Sequence, residues 1–588
     1  MPDIQRTEPR ADARITLPDG SVWTAPVGTP LVAFLEAAYP DLLPTVWDEP
    51  GSDMLIAAVV DGRLRELTMP VKRDVNVTPV MLSDPDGVRI YRRSLALLML
   101  AAAYELHPGR KITIHHALPF GGYYCSASTP FTPDDIDAIR ERMRASVAED
   151  RAITRREVPI AEAIDHYDAR GDDDIVRVLT NVNRRHLTMY TLNGYSDTFH
   201  GYQVPSTAYL QVFGLTCDGD GFILHYPRRT EPMQIQPAVA LPRLRTIYAE
   251  TSRWLQLMDV ADVGALNAAV RTGRTRELIL VHEALHESRY ADIADMIVER
   301  QPAVSLVLIA GPSSAGKTTS SKRLGVQLMA HGLRPFTLAM DDYFVNRADT
   351  PLDDKGEYDF EHLHALDLGL FNQHLNALMA GESVTLPHFN FHTGTRERGE
   401  TVRLTGSHIL IVEGIHGLNP ELVRDVDPDR VFRMYVSCLT QLNIDRHNRI
   451  PTTDVRLLRR LVRDNQYRGY AAAETLGRWQ SVRRGEKRWI FPYQENADVM
   501  FNSALVYELS VLRPLAEPLL RQLPPATSLE IEGKRLLSFL SWFEIIHDAE
   551  EFVPNNSILR EFTGGSILRD YVPGHPGQEG AFIDPVGA

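Results

Sequence analysis

The sequence predicts an α/β protein whose second half is a parallel β-sheet covered by helices, preceded by a β-grasp domain and an α+β domain. Three apolar segments predict the sheet: VSLVLIAG, SHILIVEGIHG and VFRMYVS alternate with helix-like segments after about residue 275. Continuous apolar strands between helices are typical of a parallel sheet that is buried on both faces. Short strands arranged around one helix near the N-terminus predict the β-grasp domain.

The β-grasp domain is predicted for residues 1–84. ITLPDGSVWTAPVG has the alternation of two short strands around a Pro-Asp-Gly turn. The helix-like segment LVAFLEAAY follows, and then the strand-like segments IAAVVDG and VNVTPVML. The resulting order, two strands, a helix and two strands, is that of a small β-grasp fold.

The remaining sequence divides into three parts. Residues 85–274 contain the helix-like YRRSLALLMLAAAYEL and AIRERMRASVAED and the strand-rich STAYLQVFGLTCDGDGFILHYPRR, which predicts the α+β domain. Residues 275–550 form the predicted α/β domain. Residues 551–588 end in a segment rich in glycine and proline and are predicted to be a C-terminal tail.

Composition narrows the classes of function. The net charge of −15 disfavours a general nucleic-acid binder, which carries a basic surface. Three widely spaced cysteines, Cys125, Cys217 and Cys438, predict neither a disulfide framework nor a zinc site. The polar N-terminus lacks the apolar core of a secretion signal, and the longest apolar run, LALLMLAAAY, is about half a membrane span. We therefore expect a cytoplasmic protein without membrane contact.

The strongest motif is GPSSAGKT at Gly311–Thr318, which fits G-x-x-x-x-G-K-[ST] and lies between an apolar strand and a helical run. Glycines allow backbone N–H groups to converge on phosphate oxygens at a helix N-terminus. Lys317 can reach the β- and γ-phosphates, and the Thr318 hydroxyl can bind Mg²⁺. The motif predicts a P-loop for ATP, and the predicted nucleotide-binding residues are Gly311, Pro312, Ser313, Ser314, Ala315, Gly316, Lys317, Thr318 and Thr319.

Two acidic positions follow apolar strands. Asp341 and Asp342, in MDDYF, come after PFTLA, and Glu413 ends the strand ILIVEG. Carboxylates at strand ends lie on the ligand side of a doubly wound sheet, where they can accept a proton from an attacking hydroxyl or hold Mg²⁺, directly or through water. Paired aspartates also cap turns, and strand-end loops are generally polar, so these alternatives stay open. No NKxD-type motif of a GTPase is present.

An arginine-rich helix is predicted after residue 453. Arg456, Arg459, Arg460 and Arg463 recur at i, i+3, i+4 and i+7, which predicts four guanidinium groups on one face. This stripe favours a lid that closes over ATP and supplies arginines to the transferring phosphoryl group. A solvated helix face is the alternative.

The motifs GPSSAGKTTSSKRL, MDDYF, EYDFEHLHALD, LPHFNFHTG, LIVEGIHGL and RLLRRLVRDNQYRG resemble, in this order, the uridine kinase and phosphoribulokinase family of P-loop kinases. The resemblance covers roughly Ser305 to Leu515. It implies that Asp341 is the catalytic base, with Asp342 as its neighbouring candidate, and that Lys317, Arg463 and Arg468 act on the phosphoryl group. It also implies acceptor contacts by Tyr358, Asp359 and Phe389.

Two features depart from that family. The stretch that positions a pyrimidine is replaced here by residues that include Asn390, His392, Thr393 and Arg396, of which Arg396 is a candidate for contacting the acceptor. The insertion NIDRHNRIPTTD precedes the arginine-rich helix and is absent from short uridine kinases. The identity of the nucleoside therefore stays open.

The first half resembles the TGS and editing domains of threonyl-tRNA synthetase, in ITLPDGSVWTAPVGTPLVAFL, RRSLALLMLAAAYELHPGRKITIHHALPFGGYYC and SDTFHGYQVPSTAYLQVF. The editing family has a His-x-x-x-His pair and a downstream Cys and His. Here Arg93, Leu97, Phe199 and Gln203 occupy those four positions. The resemblance thus predicts the fold without hydrolytic editing and without zinc.

We expect an enzyme that uses ATP and Mg²⁺ to phosphorylate the 5′-hydroxyl of a nucleoside, or another sugar or polyol hydroxyl. The alternative is an ATP-gated RNA-binding or regulatory module. The acidic charge disfavours nucleic acid, although the N-terminal half leaves that partner open. Homo-oligomerisation also stays open.

Overall fold

The computed structural model describes residues 10–44, 53–182, 184–353, 356–390, 393–404 and 408–573. His392 and the glycine-rich end of the predicted tail, residues 574–588, lie outside these ranges. Within them, no helix is both long and apolar enough to cross a membrane.

The β-grasp region contains five strands and one α-helix among the described residues: β1 (Asp12–Thr16), β2 (Val22–Pro26), α1 (Leu31–Ala38), β3 (Leu55–Val60), β4 (Arg63–Arg65) and β5 (Val75–Met81). Their order in the sheet is β2-β1-β5-β3-β4, and β1 and β5 run parallel at its centre. The predicted β-grasp fold is confirmed. The short strand β4 was not predicted, because three residues give too little alternation to recognise.

The middle region, residues 85–298, begins with the long helix α2. Its apolar stretch from Leu95 to Ala103 is buried, which agrees with a core helix. Its elements are α2 (Pro85–Leu106), β6 (Ile112–Leu118), β7 (Gly122–Ala127), α3 (Pro133–Ala148), β8 (Thr154–Pro159), α4 (Ile160–Arg170), α5 (Asp173–Thr180), β9 (His186–Leu192), β10 (Tyr195–Asp197), β11 (Gly214–Asp218), β12 (Gly221–His225), α6 (Pro242–Leu257), α7 (Val263–Arg271) and α8 (Thr275–Val298). The strands form two antiparallel sheets, β10-β9-β8 and β11-β12-β7-β6.

The C-terminal region is built on a parallel sheet with the order β14-β17-β13-β18-β19. Every residue of the central strand β13 is buried, which explains its unbroken apolar sequence. The elements are β13 (Leu306–Ala310), α9 (Lys317–Ala330), β14 (Arg334–Ala339), α10 (Leu368–Met379), β15 (Ser383–Asn390), β16 (Thr395–Arg403), β17 (His408–Gly414), β18 (Val431–Ser437), α11 (Thr452–Arg468), α12 (Ala472–Trp489), β19 (Val499–Asn502), α13 (Glu508–Arg521), α14 (Ser528–Leu540), α15 (Ala549–Phe552) and α16 (Arg560–Thr563). The three predicted apolar strands are all present.

The insertion before α11 joins the middle region to the C-terminal region. The Arg446 guanidinium is bound by the carboxylates of Asp172 and Asp174, and the Arg446 carbonyl accepts from the Ile114 N–H at 2.8 Å. His447 Nδ1 lies 2.7 Å from an oxygen of the buried Asp197. One apolar core also spans both regions: it includes Val158 and Leu187 as well as Phe432 and Phe501, so the two regions pack as one body.

The first part of the predicted tail is folded against the C-terminal region. Ile558, Leu559 and Phe562 are fully buried and belong to the shared core. These apolar side chains explain why this part packs, whereas glycine and proline are concentrated in the sequence that follows it. The domain boundaries themselves stay predictions.

Candidate active site

The phosphate loop, residues 311–318, connects β13 to α9. A side chain at Gly311 would place its Cβ 1.9 Å from the carbonyl oxygen of Val436, so only glycine fits between the loop and β18. Gly316 precedes α9 with φ of +88°, a left-handed conformation that glycine adopts without strain. These two glycines give the backbone the tight turn that the sequence motif predicts.

Two side chains of the loop are directed at its own surroundings. Lys317 Nζ donates to the carbonyl oxygen of Pro312 at 3.3 Å, and the Thr318 hydroxyl donates to Glu413 Oε1 at 2.8 Å. Glu413 reaches Thr318 because β17 lies beside β13 in the sheet and pairs with it in parallel. Burial raises the pKa of Glu413, the nearby Asp341 raises it further, and Lys317 opposes the shift.

Asp341 and Asp342 follow β14 in a short 3₁₀ helix, Met340–Tyr343. Within the described part of the chain the Asp341 carboxylate makes no hydrogen bond. Desolvation by the surrounding protein raises the pKa of Asp341, Lys317 lowers it, and the neighbouring Asp342 adds to the rise. Asp342, in contrast, accepts from the Phe389 N–H at 3.1 Å and lies 3.2 Å from His388 Nδ1. Asp342 therefore holds β15, whereas Asp341 keeps a carboxylate available for another group.

The predicted acceptor residues differ in exposure and in their partners. Tyr358 is 46% exposed, and Asp359 accepts from the Glu361 N–H at 3.1 Å. Phe389 is buried, with its ring centroid 5.6 Å from that of Phe344. Arg396 donates to Asp367 at 2.9 Å. The acceptor contacts of these residues stay predictions, and the pairing of Arg396 gives it a structural partner.

The four arginines predicted on one face of α11 differ in their surroundings, and two of them take no part in a lid or a solvated surface. Arg456 and Arg459 are buried, in ion pairs with Glu486 and Glu508 respectively. These acids lie 30 and 49 residues further along the chain, so the helix periodicity alone could not reveal the pairing. A buried guanidinium requires such a partner.

The two buried arginines hold the phosphate loop from behind. Arg456 donates to the carbonyl oxygen of Ser313 at 3.1 Å, and Arg459 donates to that of Ser314 at 3.5 Å. Glu486 also accepts from the Ser313 N–H at 3.2 Å. The first turns of α11 thus position the loop.

The remaining arginines of α11 surround the buried Asp464. Arg460 Nε lies 3.2 Å from it, Arg463 Nη2 donates to it at 2.9 Å, and Arg468 Nη1 lies 3.5 Å away. Arg460 also donates to the Ser313 hydroxyl at 2.8 Å. Burial lowers the pKa of Arg468, and the negative charges of Asp464 and Asp341 partly offset that shift. The predicted catalytic roles of Arg463 and Arg468 are not tested by this geometry.

Glu361 was not predicted. Burial raises its pKa from an ordinary 4.5 to about 7, Glu486 adds to the rise, and Arg460 and Lys317 oppose it. Because the Glu361 carboxylate interacts electrostatically with both Lys317 and Arg460, it lies beside the phosphate loop. The only sequence signal for it was its position two residues after Asp359 in EYDFEHL.

In the middle region, the four editing-family positions are packed. Arg93 donates to the carbonyl oxygens of His200 and Tyr202 at 3.2 and 3.3 Å. Leu97, Phe199 and Gln203 are buried. Among the residues that the structure describes, no group of three or more His, Cys, Asp or Glu side chains could hold a metal ion.

The strand–loop–helix, its lysine and the parallel sheet define a P-loop kinase fold. Residues 306–510 match the phosphoribulokinase / uridine kinase family, so the chain carries a domain of that family. The solved structure of a possible uridine kinase from Bacillus stearothermophilus covers 37% of this chain and 98% of its own, with 23% identity and a TM-score of 0.26. The structure of YGR205w protein covers 36% and 89%, with 13% identity and a TM-score of 0.26.

The N-terminal region is similar to threonine–tRNA ligases. It is 31% identical over 209 residues to the ligase of Geobacter sp. (strain M21), covering 35% of this chain and 31% of that protein. It is 32% identical over 203 residues to the ligase of Methylococcus capsulatus, covering 34% and 30%. The chain thus spans about a third of the length of the curated relatives it matches.

Proposed function

We propose that this protein transfers the γ-phosphoryl group of ATP to a hydroxyl of a small molecule, with the 5′-hydroxyl of a nucleoside as the first candidate acceptor. The observation that carries the proposal is the Asp341 carboxylate. It makes no hydrogen bond within the described residues, yet it lies within the electrostatic reach of Lys317 and Arg468 at the edge of the phosphate loop.

The phosphate loop and the charged side chains around it each have a role in this reaction. The N–H groups of the loop bind phosphate oxygens, and Lys317 turns from the Pro312 carbonyl to the β- and γ-phosphates. Asp341 accepts the proton of the acceptor hydroxyl as the hydroxyl oxygen attacks the γ-phosphorus, and the bond from that phosphorus to the bridging oxygen breaks to release ADP. Arg463 and Arg468 offset the negative charge that spreads over the transferring group.

The oxygen atoms beside the loop fit Mg²⁺. The Thr318 hydroxyl donates to Glu413 Oε1 at 2.8 Å, and the Asp341 carboxylate is near enough to add to the rise that burial causes in the pKa of Glu413, so a hydroxyl and two carboxylates gather at this point. Mg²⁺ is commonly held by one or two carboxylates together with substrate phosphates, and it neutralises charge on the phosphates. Thr318 and Glu413 would hold it, directly or through water.

The acceptor is proposed from the family resemblance and from two side chains that can contact it. Asp359 can accept from ribose hydroxyls, and the exposed Tyr358 ring can cover an apolar face of the acceptor. Phe389 and Arg396 support this site indirectly, since Phe389 is buried and Arg396 pairs with Asp367.

A second candidate is a nucleotide-gated module in which the first half binds a partner. The contacts of Arg446 and His447 with the middle region favour it, because the same insertion leads into the helix that holds the loop. This candidate predicts ATP binding without turnover.

The test is ADP release by the full chain with Mg-ATP against a panel of nucleosides, sugars and polyols. Turnover with one acceptor, abolished by Lys317→Ala and retained by the surface variant Lys534→Ala, would support the kinase. ATP binding with no turnover on any acceptor would favour the gated module instead.

A further inference from the structure

The segment that follows α15 lies on the nucleotide-binding helix. Glu561, in α16, accepts from the Thr319 hydroxyl at 2.7 Å and from the Thr319 N–H at 3.3 Å, both through Oε2. These contacts join residues 242 positions apart in the sequence. A carboxylate from the C-terminal segment therefore occupies donors at the start of α9.

The position of Thr319 gives this contact its meaning. The first N–H groups of a helix have no partner within the helix, and in a P-loop they are the donors offered to phosphate oxygens. Thr319 is the third residue of α9. A carboxylate resembles a phosphate in negative charge and in accepting hydrogen bonds, so Glu561 and a nucleotide phosphate require the same donors.

Neighbouring residues hold the segment in this place. A Cβ on Gly316 would lie 2.7 Å from Ile558 Cγ2, so Ile558 covers the last glycine of the loop. Lys322 Nζ donates to the carbonyl oxygens of Leu568 and Arg569 at 2.7 and 2.9 Å. The guanidinium carbon of Arg459 lies 5.0 Å from the centroid of the Phe562 ring. The segment thus contacts the loop, the nucleotide helix and an arginine that positions the loop.

We propose that Glu561 determines the nucleotide affinity of the loop by acting as an internal competitor of the nucleotide's phosphate groups. Binding of nucleotide displaces the Glu561 carboxylate from Thr319 and loosens residues 553–569 from α9. Two negative groups cannot share these donors, because their mutual repulsion is strong in a site with little water. The inference rests on the proposed nucleotide binding at this loop, and it makes no use of the acceptor.

The first experiment compares Glu561→Gln with the wild-type full chain by calorimetric titration of Mg-ATP. Glutamine keeps an acceptor oxygen of similar shape but loses the charge, so the competitor weakens. We expect the dissociation constant to fall about tenfold, the worth of a hydrogen bond to a charged group. Glu551→Gln is the matched control, since Glu551 is an exposed carboxylate of α15, just before the segment, and it is expected to leave the constant unchanged.

The second experiment uses the wild-type protein, so that it does not depend on a variant that folds. Hydrogen exchange is measured at the amides of Glu561, Phe562 and Thr563, which donate within the segment to the carbonyls of Ile558 and Leu559. Saturating Mg-ATP is expected to speed their exchange. Slower exchange would make the segment a fixed wall of the nucleotide site and overturn the proposal, as would equal or weaker ATP binding by Glu561→Gln.

The outcomes separate this inference from the proposed function. Tighter ATP binding by Glu561→Gln without turnover on any acceptor would uphold the competitor and reject the kinase. Turnover by the wild type, with unchanged affinity in Glu561→Gln, would reject the competitor and uphold the kinase. Failure of both proteins to bind ATP would reject both.

Discussion

The chain contains two sets of residues at positions that resemble enzyme sites, the editing-family positions of the middle region and the phosphate-loop site of the C-terminal region, and they differ in how their polar groups are used. In the middle region, the Arg93 guanidinium binds two backbone carbonyls, and apolar side chains fill two of the other editing-family positions. In the C-terminal region, the Asp341 carboxylate has no hydrogen bond within the described residues, although Lys317 is close. The editing-family positions are packed, whereas the phosphate-loop site keeps a charged group that a substrate can use.

The difference has a physical basis. A polar group without a partner is costly to bury, so evolution removes or pairs it unless it serves a ligand. Arg93 illustrates the first outcome: its guanidinium rests on Gly201, whose missing side chain leaves room for it. Asp341 illustrates the second: its carboxylate is exposed and makes no hydrogen bond within the described residues, so it stays open to a ligand.

The sharpest test of the comparison is Asp341→Asn. The amide cannot accept the proton of the acceptor hydroxyl, so turnover should fall by a factor on the order of 10² to 10⁴ while ATP binding stays intact. Asp342→Asn is the matched control. Because Asp342 binds the Phe389 N–H, it should change the Michaelis constant for the acceptor more than the rate. A larger rate loss in Asp342→Asn would assign the base to that residue.

The arginines behind the loop are tested by Arg456→Met. It leaves the buried Glu486 with the guanidinium of Arg483, at 3.3 Å, as its remaining ion pair, so the free energy of unfolding should fall by about 3 kcal/mol in denaturant titrations, the lower end of the cost of breaking a buried ion pair. The double variant with Glu486→Leu should recover much of that loss. Arg424→Met, which removes an exposed pair with Asp425, should cost about 0–1 kcal/mol. Equal effects of the two single variants would contradict a structural role for Arg456.

Arg93→Met tests the packed editing-family positions of the middle region. The variant leaves the carbonyls of His200 and Tyr202 without a donor, which should lower the free energy of unfolding by about 1–3 kcal/mol. The turnover number with ATP should not change. Arg73→Met, on an exposed pair with Asp61, is the control. Loss of turnover in a stable Arg93→Met protein would show that the middle region contributes to the reaction. It would contradict the contrast between the editing-family positions and the phosphate-loop site.

The smallest effect is expected from Glu361→Gln. The pKa of Glu361 is raised from 4.5 to about 7, so its contribution to stability is present in acid and is lost as pH rises through about 7. The variant should therefore melt at a higher temperature than the wild type at pH 8 and at the same temperature below about pH 4.5. Glu382→Gln, at an exposed carboxylate, should show no such dependence.

The sequence predicted features with local signatures better than it predicted contacts between residues that are far apart in the chain. Local patterns predicted the phosphate loop, the parallel sheet and the β-grasp fold, because each has a signature that lies within short stretches of the sequence. The partners of Arg456 and Arg459 could not be predicted, since Glu486 and Glu508 come from distant elements. The contact of Glu561 with Thr319 could not be predicted for the same reason, since the two residues are 242 positions apart in the sequence.

The insertion and the apolar core that join the two halves limit where this chain can be divided. A fragment beginning at residue 275 would lose the part of the shared apolar core that precedes it, including Val158 and Leu187, and would leave Arg446 and His447 without their carboxylates. The two ancestries visible in the sequence are thus not two folding units. Gene fragments cut at the boundary of resemblance would report on damaged protein, and point variants of the full chain are the sound way to assign work to either half.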